Sequence, residues 1–271
     1  MPFRKWYLLS SACALLLAGA GSVRAQDMAA AAKGYLAPAE APDLLKIVPP
    51  APAAGDPRDT ADREIFKSTR SAENSPRWTL AQHDADYSVK GLLAAFACAL
   101  GETPDAKTAP RLTTLLNRAT ADSVASSGGL KIQYKRKRPF LVDDGPICVA
   151  REASLLNSYD YPSGHSTLGW VTGLILAELE PDHSTAILAR ARAYGESRIF
   201  CGVHNASAVE AGRIVAASVV AALHGVPAFR DDMQAAAKEL AALRKTPEAA
   251  SPACAVESRG VAESPYRVQP H

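Results

Sequence analysis

The sequence has 271 residues, 48% hydrophobic but only 6% aromatic, enough to bury one sizeable core and better suited to one domain than two. The formal charge is +2 and turns slightly negative once the basic leader described below is removed, which excludes the strongly basic surface a nucleic-acid binder needs. Abundant alanine and few aromatics favour helices packed through small side chains over a sandwich of β-branched strands.

Residues 1–25 open with Arg4 and Lys5, continue through an apolar run from Trp6 to Ala20, and close on Val23-Arg24-Ala25. This pattern predicts a cleavable export signal cut after Ala25, and a mature protein in the periplasm or outside the cell. The run is shorter than the roughly 20 apolar residues a membrane span needs, and no later segment is expected to span a bilayer. Residues 26–58 are rich in Pro and Ala and predict an extended arm. From 59 to 245 apolar residues recur at helical spacing. Helices are predicted over 59–69, 77–86, 88–101 and 109–126, with a further one through "KIQYKRKR" that Pro139 ends.

A polar segment carrying Pro and Gly follows to Pro162. "SGHSTLGWVTGLILAELEP" then predicts a buried helix capped by Ser163 and stopped at Pro181. Two more helices and a last amphipathic one complete the reading. The tail, 246–271, is expected to be flexible unless Cys254 ties it down. Cys13 leaves with the leader; Cys98, Cys148, Cys201 and Cys254 enter an oxidising compartment, where three disulfide pairings are open. The fold class is all-α, a single-domain helical bundle with an extended Pro-rich N-terminal arm. The number of subunits stays open, a homo-oligomer included.

Three clusters carry chemistry. In "KIQYKRKRP", Lys131 and Arg138 are seven apart, on nearly one helical face. In "YPSGHS", Ser163 caps a helix whose first amides, at Gly164 and His165, form a ready anion site. In "SRIFCGVH", Arg198 stands six residues before His204. Each alone has an ordinary structural explanation: a solvated basic run, a capped helix, a buried histidine.

Together, in this order and at these separations, the motifs resemble the signature of the type 2 phosphatidic acid phosphatase superfamily, and most closely the bacterial class A non-specific acid phosphatases. The resemblance is strong from Lys131 to about Leu223. It implies an exported phosphatase acting on small phosphate monoesters, inhibited by inorganic phosphate or vanadate, with no metal or other cofactor. Lys131, Arg138 and Arg198 then match the phosphate grip, helped by Ser163 and the Gly164 amide. His204 matches the nucleophile that becomes phosphohistidine, and His165 the general acid. The grip agrees with charge logic, since guanidinium forks and an ammonium suit a phosphate dianion. Alternatives on the same scaffold are a phosphate-binding protein without turnover and a vanadate-dependent haloperoxidase.

One position departs from the family pattern. An aspartate is expected four residues after the nucleophilic histidine, and here that residue is Ala208. Ser207 is the candidate orienter of His204 in its place, with Asp160 or a water as alternatives, and the activity is expected to be weakened. Glu210 lies about 240° around the helix from His204 and points elsewhere.

Overall fold

Short polar caps and prolines set the helix starts of this chain. In the computed structural model, which describes residue 1, residues 32–244 and residues 252–266, Asp56 accepts a bond from Asp59 N and Pro57 opens helix α2, Pro57–Thr69. A single helical turn, α1 at Leu44–Ile47, precedes it. Ser75 caps α3, Pro76–His83, and Ser88 caps α4, Val89–Leu100. Helix α5 spans Pro110–Tyr134 and a short turn, α6, spans Ala153–Leu156. Ser163 caps α7, Gly164–Leu179; α8 covers Ser184–Phe200, α9 Ala206–Leu223 and α10 Pro227–Leu243. Among the described residues no strand forms, in keeping with the all-α reading. Apart from residue 1, the leader read over 1–25 lies outside the described residues.

Helix α7 is the axis of the bundle, packed against α8 and α9, while α5 packs against α10 and also touches α7 and α9. Its core positions, Leu168, Val171, Ile175 and Leu176, are all buried. Close approach of α7 and α8 depends on glycine. A Cβ on Gly173 would lie 2.4 Å from the Ala191 Cβ, and one on Gly169 would lie 2.3 Å from the Tyr194 ring. The described part of the arm lies against α5: Tyr35 N and Leu36 N donate to the Asp122 carboxylate, at 2.7 and 3.2 Å.

Two expectations need correction, the shared helical face and the apolarity of the later helices; the condition set on the tail is met, and the disulfide pairing left open is resolved. Helix α5 stops at Tyr134, with Lys135 in the left-handed region at φ 45°, so Lys131 is helical whereas Arg138 sits in extended backbone beyond it. The two do not share a helical face. The tail is not wholly loose: Pro252–Ala262 forms α11, fastened to α4 by the Cys98–Cys254 disulfide. Cys148 pairs with Cys201. Finally, α9 is by length and mean hydropathy, 1.5, apolar enough to cross a membrane. It is nevertheless a core helix here: Val209, Val215, Val219 and Leu223 are fully buried.

The α7–α8 contact yields a direct test. Gly173→Ala forces two helix backbones apart and is expected to lower the unfolding free energy by about 1–3 kcal/mol. A reduced urea midpoint at unchanged slope reports this; an unchanged midpoint would contradict the close packing.

Candidate active site

Distant chain segments converge on one cleft of about 230 Å³, lined by Arg138, His165, Arg198 and His204 together. Val149, Glu152 and Leu155, from the segment before α7, complete the lining. His165 is the second residue of α7. Arg198 lies in the last turn of α8, and the chain then folds back on itself: Val203 N and His204 N both donate to the Arg198 carbonyl, at 3.1 and 3.2 Å. That turn brings residues six apart in sequence into the same cleft. The Cys148–Cys201 disulfide and the Cys148 N to Cys201 O bond, 3.0 Å, staple the segment before α7 to that turn.

The cations here are held by neutral acceptors. Arg138 Nη1 donates to the Val203 carbonyl at 2.7 Å, and its Nε and Nη2 reach Ser158, at 3.1 Å to the carbonyl and 2.8 Å to the hydroxyl. Arg198 Nη2 donates to the Ala81 carbonyl, and its Nε is buried with no hydrogen-bond partner among the described residues. Lys131 Nζ donates to the Tyr159 carbonyl at 2.9 Å. Carbonyls fix these groups without cancelling their charge. Burial lowers Arg138 to about 10. It lowers Lys131 to about 7, with Arg138 pushing the same way.

His204 is 3% exposed and its two ring nitrogens have different partners. Arg138 Nη1 lies 2.9 Å from Nε2. Asp160 Oδ1 lies 3.0 Å from Nδ1. A guanidinium has no acceptor, so Nε2 must offer its lone pair and the proton resides on Nδ1, donated to Asp160. His165 Nε2 lies 2.9 Å from the Ala85 carbonyl; since a carbonyl only accepts, Nε2 carries the proton and Nδ1 is left as the basic atom. Tyr87 meets this ring edge-on at 4.6 Å. Both histidines are pushed well below the usual value near 6.5, first by burial and then by the arginines around them.

Of the residues singled out in the sequence, Arg138, His165, Arg198 and His204 line the cleft together, whereas Lys131, Ser163 and Gly164 do not. Ser163 is fully buried, and its hydroxyl is engaged within the first turn of α7, accepting from Ser166 N at 3.3 Å and from the Ser166 hydroxyl at 2.9 Å. Ser207 does not orient His204. Its hydroxyl donates to Asp62 and accepts from Arg136 at 2.8 Å, because α9 begins only at Ala206 and turns position 207 toward α2. A carboxylate contact to the His204 ring, which Ala208 cannot make, is made by Asp160. Asp160 stands just before Tyr-Pro-Ser-Gly-His; only folding brings it to His204, 44 residues on.

Comparison with known proteins places these residues in context. A family model described as the PAP2 superfamily matches residues 112–231. Over 198 residues the chain is 45% identical to an acid phosphatase of Zymomonas mobilis, covering 73% of this chain and 75% of that protein. It is 35% identical over 213 residues to a non-specific acid phosphatase of Providencia stuartii, covering 78% of this chain and 86% of that one. A non-specific acid phosphatase of Salmonella typhimurium is 32% identical over 208 residues, with 76% and 83% covered.

The shifted groups fix a pH dependence. Lys131, at about 7, gains its charge as the pH falls through neutrality. A bound dianion also raises both depressed histidines toward protonation, so anion binding takes up protons. Sulfate, which does not titrate between pH 5 and 8, is therefore expected to raise Tm more at pH 5 than at pH 8. An equal or reversed shift in a thermal melt would contradict this electrostatic picture.

Proposed function

The chain belongs to the PAP2 superfamily, among its bacterial acid phosphatases, and on that premise we propose that it is an exported acid phosphatase hydrolysing small phosphate monoesters through a phosphohistidine at His204. The observation that carries the reading is the meeting of two arginines and two differently bonded histidines in one cleft. Arg138 and Arg198 grip the phosphoryl oxygens, and the orphan Nε of Arg198 gains an acceptor when an oxyanion enters. Lys131 and the amino end of α7, behind the cleft surface, add positive potential.

His204 Nε2 is the attacking atom, unprotonated while Nδ1 keeps its proton. Arg138 Nη1 lies 2.9 Å from that atom, close enough for the guanidinium to turn from the imidazole to a phosphate oxygen as Nε2 attacks. Nε2 bonds to phosphorus as the ester P–O bond breaks, and His165 gives the departing alkoxide a proton from Nδ1. The same atom then takes a proton from water, which attacks phosphorus and releases inorganic phosphate.

Because His165 is depressed in the free protein, its proton is retained only with a dianion bound and at acidic pH. An acidic optimum follows. The rest of the lining, with Val149, Leu155 and an exposed Glu152, offers no tight mould for the leaving group, which suits varied substrates. Export is supported by the leader pattern in residues 1–25 and by two disulfides, which an oxidising compartment maintains.

Turnover of a radiolabelled monoester, quenched in alkali, is expected to leave acid-labile label on His204. His204→Ala should lower kcat by at least about 10³-fold and carry no label. His165→Ala should still take up label but turn over about 10²- to 10⁴-fold more slowly. Wild-type protein that turns over without ever carrying label, or full activity in His204→Ala, would contradict the mechanism.

A further inference from the structure

Asp160 is fully buried, and an isolated carboxylate there would be prohibitively costly. Its surroundings answer that cost on every side. Oδ1 accepts from His204 Nδ1 at 3.0 Å and from Asn205 N at 3.1 Å. Oδ2 accepts from Asn205 Nδ2 at 2.9 Å and lies 3.4 Å from Arg136 Nη1. The Asp160 amide donates to the Arg136 carbonyl at 2.8 Å, so the two residues hold each other through backbone and side chain alike. Arg136 is itself anchored from outside the cleft: it donates to Asp62 and Asp59 of α2, both at 2.8 Å.

From this geometry we infer that Asp160 is the positioning residue of the nucleophile, and that Arg136 fastens it. The carboxylate that the superfamily pattern takes from the fourth residue after the histidine is supplied here by the segment leading into α7. Ala208 is consequently free to do something else. It is fully buried in the main core, and its carbonyl accepts from Ser163 N at 2.9 Å, tying the start of α9 to the cap of α7. An aspartate at 208 would place a carboxylate in that apolar core.

The role is more than packing: as an acceptor at Nδ1 the carboxylate holds the tautomer that leaves Nε2 unprotonated, and its negative charge, which a neutral acceptor lacks, stabilises the positive charge the ring acquires on phosphorylation. Arg136, which belongs to the basic motif but not to its phosphate grip, acts one step further back. It sets which way the carboxylate faces.

This inference rests on the reading of His204 as the nucleophile, and its test includes a readout independent of turnover. In the full-length wild-type protein, nitrogen-15 NMR of His204, assigned by its loss in His204→Ala, is expected to show the ring proton on Nδ1 with a strongly downfield proton signal. Asp160→Asn should shift that signal, lower kcat for p-nitrophenyl phosphate by about 10²- to 10⁴-fold, and leave the inhibition constant of inorganic phosphate within about threefold. Asp160→Asn with kcat within about fivefold of wild type would overturn the inference. So would equal losses of turnover and phosphate binding, which would mark Asp160 as merely structural, or a wild-type ring protonated on Nε2. If wild-type protein shows the Nδ1 proton yet no turnover, the phosphatase reading fails while the Asp160–His204 pairing stands.

Discussion

Like charges gathered out of water are the constraint on which this structure turns. Arg138, Arg198 and Lys131 are drawn together by three different segments, and their hydrogen bonds go to the carbonyls of Val203, Ser158, Ala81 and Tyr159. A carbonyl fixes a cation's direction and leaves its charge in place. Asp160 is the carboxylate hydrogen-bonded to this site, and it is committed to His204 and Asn205. A bound oxyanion would meet that charge directly. Both histidines are depressed by the same burial and the same arginines, so an anion bound there would raise both, and the proposed binding, acid chemistry and pH dependence would share one electrostatic cause.

Holding such a cluster open requires a rigid frame behind it. Asp84, fully buried, pairs with Arg190 and accepts from the Ser197 hydroxyl. Ala81 and Ala85, on either side of it, present the carbonyls that receive Arg198 and His165. One buried ion pair thus locates two functional side chains. The glycine contact between α7 and α8 sets the spacing of the helices that carry His165 and Arg198. The Cys148–Cys201 bridge keeps the segment before α7 beside the turn that leads to His204. Stability and function are coupled here because the scaffold stores the work of keeping cations together.

Much of this was legible in the sequence where the signal is local. Helices α2 to α4 and α7 to α10 announce themselves by periodicity, caps and prolines, and the motif order brought Arg138, His165, Arg198 and His204 forward as one site. Where the signal is not local, reading failed. Helix α5 ends at Tyr134 because Lys135 turns left-handed, and the sequence offers no glycine or proline there to mark it. Spacing favoured Ser207 as the partner of His204, but helix geometry does not apply to a residue that precedes the helix. Asp160 meets His204 only through loop closure, which spacing cannot express. The disulfide partners and the anchored α11 share that long-range character.

If the cleft is a dianion site first and a reaction site second, a crystal structure of the protein with tungstate, a tetrahedral oxyanion that stays bound without turning over, tests this most directly. The ion should sit against Arg138 and Arg198 with His204 Nε2 facing its centre, and Arg138 should have left the imidazole. A cleft that stays empty at saturating tungstate, or an ion held elsewhere while Arg138 remains on His204, would contradict it.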